Sequence, residues 1–193
     1  MNFEKLSEKK AELEKIKIET KNKYWNIGKK SIEVIQKIIE KNKFTSALEI
    51  GTSNGYSTLF IYEKIYKNNG KLTTIESNKE RYEIAKKNFI EAGIYDKIKF
   101  ILGHSPEVLR ELKDKFDFVF IDCVKENYLP TFIQLQNKLL KKWIIICDNV
   151  ISHQNELIAF FTYLKNNKYN YKIYEIENGI IEIKSPVEKI IRA

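Results

Sequence analysis

From Ser46 onward, five short apolar runs, at residues 47–50, 72–76, 98–102, 116–121 and 143–147, alternate with stretches whose apolar residues recur at helical spacing. Short runs that are apolar throughout suit strands covered on both faces. Strands separated by helices are joined as parallel neighbours through crossovers. The intervening helices are expected at 56–67, 79–92, 106–113, 130–140 and 156–165. Gly93 fits the residue just past a helix end, and Ser105-Pro106 fits an N-cap followed by proline at the first helical position. After the last helix, 171–176 and 180–183 flank Glu177-Asn178-Gly179, a hairpin signal, so the sheet is expected to finish with an antiparallel pair. Ahead of it, Phe3, Leu6, Leu13 and Ile16 mark one amphipathic helix, and Ile32, Ile35, Ile38 and Ile39 mark another at 30–41. The expectation is an α/β fold, a doubly wound and mostly parallel seven-stranded sheet with helices on both faces. No repeat or low-complexity linker divides the chain. Residues 1–193 are read as one domain, with 1–43 a helical segment and 44–193 the α/β core.

In an open parallel sheet, ligands bind beyond the carboxyl ends of the strands. The first such end is EIGTSNGYS, residues 49–57: a strand, a turn with two glycines four apart, then a helix. Glycines there let backbone approach a ligand without a Cβ in the way. The turn has neither the G-x-G-x-x-G of dinucleotide sites nor the G-x-x-x-x-G-K-[ST] of phosphate loops, and Glu49 would repel a phosphate. A carboxylate there suits a ligand with positive charge, and S-adenosylmethionine carries an ammonium and a sulfonium and no phosphate. The second strand ends in Glu76, placed to accept both hydroxyls of a ribose. The third ends in Gly103-His104-Ser105, where backbone and a hydroxyl could hold an adenine; His104 by itself reads more readily as a structural loop residue than as a catalyst.

The fourth and fifth strands end in Asp122-Cys123-Val124-Lys125 and Asp148-Asn149. Neighbouring strand ends would bring Asp122, Asp148 and Asn149 together. Two carboxylates and an amide carbonyl are hard ligands that favour magnesium, manganese or calcium over zinc. Taken singly, each aspartate is also what a helix cap or a turn would use. The two cysteines, Cys123 and Cys147, have no metal-ligand spacing and read as small side chains near the site.

The charge of +8 raises the question of nucleic acid, and its distribution is uneven: residues 1–43 hold twelve lysines and seven glutamates, a net +5. That excess is either a set of solvated helix faces or a surface for an anionic partner. No apolar run approaches the ~20 residues of a membrane span. MNFEKLSEKK alternates charges where a secretory signal needs an apolar block, so a cytoplasmic protein without membrane contact is expected.

From Trp25 on, these segments resemble the catechol O-methyltransferase family of class I, metal-dependent O-methyltransferases, which implies a Rossmann-like sheet. Trp25-Asn26-Ile27-Gly28 resembles the segment against the methionine part of S-adenosylmethionine, implying roles for Asn26 and Ile27. ALEIGTSNGYST resembles the first cofactor motif, implying Glu49, Gly51, Thr52, Ser53, Tyr56 and Ser57. LTTIES and ILGHS resemble the ribose motif and the adenine loop, implying Glu76 and Ser77, then Gly103, His104 and Ser105. FDFVFIDCVKENYLPTF and IIICDNVIS resemble the metal stretches. They imply Asp122, Asp148 and Asn149 on a divalent cation, most simply Mg²⁺, with Asp122 also near the cofactor and Lys125 as the catalytic base.

The resemblance implies methyl transfer to a hydroxyl held on the ion, with Lys125 taking its proton. ENGIIEIKSP is shorter than the corresponding animal hairpin and offers no match to the acid that holds a second catechol hydroxyl there. The expected acceptor is therefore a small vicinal-dihydroxy or catechol-like molecule other than simple catechol. The alternatives are a hydroxylated wobble uridine of tRNA, as in some bacterial relatives, or a non-catalytic cofactor- or RNA-binding module. A homodimer is compatible with all three.

Overall fold

The computed structural model describes residues 3–185. The outermost residues of the expected domain, 1–2 and 186–193, and with them the end of the ENGIIEIKSP stretch, lie outside the described residues. Helices α1 (Phe3–Glu19) and α2 (Lys29–Asn42) precede β1 (Ser46–Ile50), α3 (Tyr56–Lys67), β2 (Lys71–Glu76), α4 (Lys79–Glu91) and β3 (Lys99–Leu102). Then come α5 (Ser105–Glu111), β4 (Phe116–Ile121), α6 (Tyr128–Leu135), β5 (Leu139–Cys147), α7 (Ile158–Asn166), β6 (Asn170–Tyr174) and β7 (Ile180–Lys184). The seven strands form one sheet in the order β3-β2-β1-β4-β5-β7-β6. The first five are parallel, and β7 runs antiparallel to both β5 and β6. This is the expected doubly wound architecture, and the strand order reverses between β1 and β4.

Alternation along the central strands divides the core between the two faces of the sheet. Phe118 and Phe120 of β4, with Ile144 and Ile146 of β5, pack under Leu6, Leu13, Ile35, Ile39, Leu59, Tyr62 and Phe89 of α1–α4. Val119 and Ile121, with Ile145 and Cys147, face Leu109, Tyr128, Phe132, Phe160 and Leu164 of α5–α7. Helix α1 is fixed by ion pairs as well as by packing: Lys9, 6% exposed, pairs with Glu12 and with Glu91 of α4, and Lys10 reaches Glu63 of α3 at 2.6 Å.

Several boundaries differ from expectation. The helix expected at 130–140 ends at Leu135. A 3-10 turn follows, and Leu139 and Leu140 already belong to β5, which pairs with Phe116 before a register shift. The exposed Lys141 and Lys142 interrupt the apolar run, so the first half of β5 does not look like strand. Helix α5 begins at Ser105 with His104 as its N-cap, one residue earlier than the Ser-Pro signal suggests. Turns occupy 151–157, which delays α7 to Ile158, and β6 spans Asn170–Tyr174 rather than 171–176.

Candidate active site

Each central strand passes its pairing one residue beyond its end. Gly51 N donates to Ile75 O at 3.0 Å, Gly103 N to Glu76 O at 2.8 Å, Asp122 N to Ile50 O at 2.8 Å and Asp148 N to Ile121 O at 3.1 Å. The polar strand ends are thereby held side by side, and they open into a cavity of about 670 Å³. Gly51 lets the first turn cross the end of β4. Its φ is +98°, and a Cβ there would lie 1.9 Å from the backbone oxygen of Asp122.

Asn26, Ile27, Gly51, Thr52, Ser53, Ser57, Glu76, Ser77, Gly103, His104, Ser105, Asp122, Lys125, Asp148 and Asn149 all line this cavity. Glu49 and Tyr56 do not, and each has a physical reason. Glu49 is fully buried beneath the turn, where its carboxylate accepts from Ser57 Oγ at 2.6 Å, Thr58 Oγ1 at 2.5 Å and Thr74 Oγ1 at 2.7 Å. Burial pushes its pKa up to about 7 against the pull of those three hydroxyls. Tyr56 turns away toward α1, where its hydroxyl meets Glu14 and Lys17 Nζ sits 4.8 Å from its ring centroid.

On the cofactor side, Glu76 is fixed by two backbone donors, Ser53 N at 2.7 Å and Asn78 N at 2.8 Å, one from the turn and one from the cap of α4. A carboxylate anchored this way keeps lone pairs for hydroxyl donors in the cavity. Asn26 is held through its backbone, its N donating to Asn22 Oδ1 at 2.7 Å and its O accepting from Asn22 Nδ2 at 2.9 Å. Its own Nδ2 is buried without a partner at the cavity wall. A buried donor left unmatched costs ~1–3 kcal/mol, and a ligand acceptor would remove that cost. A Glu76 carboxylate anchored only by backbone donors, the unpartnered Asn26 amide and a turn without a phosphate-binding motif fit S-adenosylmethionine.

On the other side, Asn149 Nδ2 donates to Asp122 Oδ1 at 3.0 Å, and Lys125 Nζ lies 3.6 Å from the same oxygen. Asp148 is 3% exposed; burial, followed by the charge of Asp122, raises its pKa to about 7. Burial also raises Asp122, with Lys125 pulling against it. A buried and a half-buried carboxylate facing one lysine would be relieved by a proton or by a further cation, and their oxygens with the Asn149 carbonyl suit a hard divalent ion. Asn149 now presents nitrogen to Asp122, so ligating through oxygen asks its amide to turn over. Among the described residues no group of three His, Cys, Asp or Glu is placed to hold a metal, which leaves this mixed carboxylate and amide set as the candidate.

Tyr128 is the residue that sequence reasoning missed. Fully buried, it donates its hydroxyl to Asp148 O at 2.9 Å and receives Lys125 Nζ at 2.8 Å, so it fixes the lysine against the end of β5. Its place three residues after Lys125, at the start of a helix facing the core, was the available signal. Asn178, from the β6–β7 loop, also reaches the cavity, as does Trp25, which is 71% exposed with the Arg81 guanidinium 4.7 Å from its ring.

A sequence model of a family described as O-methyltransferase matches residues 4–159. Catechol O-methyltransferase of Sus scrofa is 28% identical over 138 residues, covering 68% of this chain and 74% of that protein. The Bos taurus enzyme is 29% identical over 133 residues, and the match spans 48% of its length and 65% of this chain. Among solved structures, the O-methyltransferase from Bacillus cereus in complex with SAH superposes with a TM-score of 0.80 at 19% identity, covering 93% of this chain and 91% of that one. An O-methyltransferase from Streptomyces achromogenes in complex with SAM gives 0.79 at 18% identity, over 95% and 90%.

Proposed function

The chain belongs to the S-adenosylmethionine-dependent O-methyltransferase family, and from that premise we propose that it methylates a hydroxyl oxygen of a small acceptor with adjacent oxygens, assisted by a divalent cation such as Mg²⁺. One observation carries the reading. The Glu76–Ser53–Asn26 group and the Asp122–Asp148–Asn149–Lys125 group open into the same cavity, with Asp122 beside the glycine turn that joins them.

In this reading Glu76 holds the ribose hydroxyls, Asn26 Nδ2 and Ser57 meet the methionine end, and Gly103, His104 and Ser105 border the adenine. S-adenosylmethionine, when bound, supplies a methyl group made electrophilic by its sulfonium. Asp122, Asp148 and Asn149 would hold the cation, which when bound lowers the pKa of a hydroxyl and favours a neutral lysine nearby. Lys125 is the group that takes the hydroxyl proton, at Nζ. Tyr128 and the Cys123 carbonyl, 3.2 Å away, hold that nitrogen in place. The walls of the cavity then align acceptor oxygen and methyl carbon.

Two observations bear on the acceptor. No acid of the C-terminal hairpin lines the cavity among the described residues: Glu177 is turned onto α2, Glu182 is held by Tyr174 and Lys184, and Asn178 stands at the wall instead. An amide suits a second oxygen that is a carbonyl or a hydroxyl, so vicinal dihydroxy and hydroxy-carbonyl compounds are preferred over isolated phenols, and simple catechols, without a carboxylate to hold their second hydroxyl, are poor acceptors. Of the N-terminal lysines, Lys9 and Lys10 are engaged in ion pairs and Lys17 donates to Ile27 O at 2.7 Å, which weakens the reading of residues 1–43 as a tRNA surface. The test is transfer of labelled methyl to a panel of vicinal oxygen compounds with Mg²⁺ present. Labelling of undermodified tRNA instead, or no cofactor binding at all, would overturn the proposal.

A further inference from the structure

Helix α2 lacks a cap of its own. Its N-cap residue is Gly28, which offers no side-chain hydrogen bond, and no acid occupies the first turn. The missing acceptor comes from far along the chain. Glu177, in the loop between β6 and β7, accepts from Lys30 N at 3.1 Å, Ser31 N at 3.0 Å and Ser31 Oγ at 2.7 Å. Gly28 has φ −69° and ψ 156°, the extended geometry in which Ser, Thr, Asp or Asn caps a helix locally. Its backbone does not require glycine. The Glu177 carboxylate fills the space instead: a Cβ on Gly28 would lie 1.9 Å from Glu177 Oε2 and would displace it. A self-sufficient local cap is thus absent, and a remote one occupies its space.

The same loop is tied to the opposite wall of the cavity. Asn178 O accepts from Ile151 N and from Ser152 N, both at 3.1 Å, and Gly179 O accepts from Val150 N at 3.0 Å. Those donors directly follow Asp148 and Asn149. On the other side, Gly28 directly follows Asn26 and Ile27. Residues 177–179 therefore join the wall read as holding cofactor to the wall read as holding the cation.

We propose that Glu177 is a positioning residue that sets the Asn26–Ile27 wall against the Asp148–Asn149 wall, with capping of α2 as the means. The inference rests on the reading that this cavity holds S-adenosylmethionine. It separates from plain helix capping because the cap can be restored without the bridge. In Gly28→Ser/Glu177→Ala the serine has room and caps α2 locally, while the hairpin is released.

Four proteins are compared: wild type, Glu177→Gln, Glu177→Ala and the double variant. Thermal unfolding reports the cap, and calorimetric binding of S-adenosylhomocysteine, without metal or acceptor, reports the wall. Glu177→Ala should lose thermal stability and bind several-fold more weakly. Glu177→Gln, which keeps one acceptor oxygen, should fall between it and wild type and serves if the alanine variant does not fold. The double variant should recover the stability and not the affinity. Recovery of both, or wild-type affinity in the single variants, would show a structural cap only and overturn the inference. No binding by wild type would overturn the functional reading, and this inference with it.

Discussion

Replacing Glu49 by Gln keeps the shape of the buried side chain and removes its ionisation, so it isolates what that carboxylate does to stability. Burial raises the folded-state pKa to about 7 from the ordinary 4.5. The sign follows from linkage. Between those values the folded protein holds a proton at Glu49 that the unfolded chain has released, so stability falls as pH rises through the interval. The contribution is fully present below about pH 4.5 and gone above about pH 7. A shift of that size corresponds to roughly 3 kcal/mol, at 1.36 kcal/mol for each pH unit. The quantity to measure is the difference in unfolding free energy between Glu49→Gln and wild type, by urea titration followed by circular dichroism, in EDTA, from about pH 4 to pH 8. The ionisations of Asp122 and Asp148 are common to both proteins and cancel to first order. The difference should move in favour of the glutamine variant by up to roughly 3 kcal/mol and level off above about pH 7. Thr58→Val, which removes one of the three hydroxyl donors that hold the folded-state pKa down, should extend the upper end of the interval to higher pH. A difference flat across the range would show that Glu49 titrates normally, and the account of a desolvated carboxylate under the turn would be wrong.

Gly51→Ala forces a side chain at φ +98° against the Asp122 carbonyl, and should lower stability by ~2 kcal/mol or more while weakening cofactor binding, as read by thermal unfolding and calorimetry. Glu76→Ala should weaken S-adenosylmethionine binding at least tenfold with the fold intact by circular dichroism; unchanged affinity would remove Glu76 from the ribose. Chelation, or Asp148→Ala, should abolish turnover and leave much of the cofactor affinity, so full activity in EDTA would end the metal role. Neutralising exposed lysines such as Lys21, Lys23, Lys29 and Lys30 should leave turnover of a small acceptor within a factor of about two, and steep salt dependence would instead indicate a nucleic-acid acceptor.

The sheet was legible because its central strands are buried on both faces and so are apolar throughout, as in FVFI before Asp122 and IIIC before Asp148. Strand ends were legible for the same reason, since polarity begins where burial stops. Pattern failed where burial is uneven: the first half of β5 carries Lys141 and Lys142 at an exposed end of the sheet and reads as the tail of a helix. It failed again where a role depends on orientation. Glu76 is the last residue of β2 and stands at the wall, whereas Glu49 is the last but one of β1 and lies beneath the turn, and a shift of one residue at a strand end is below what an apolar run can locate. Glu177 was beyond reach for another reason, because its partners are 146 and 147 residues away.

The contact between Gly51 and the backbone of Asp122 has a consequence for redesign. A side chain can shrink to make room for a substitution elsewhere, but a peptide carbonyl cannot, so residue 51 admits no compensating second mutation nearby. Variation in what the protein accepts must then be sought away from the seam between β1 and β4, in loops whose side chains are replaceable. Ser152, His153 and Asn178 meet that requirement, and a library restricted to them would explore new acceptors while leaving the seam untouched.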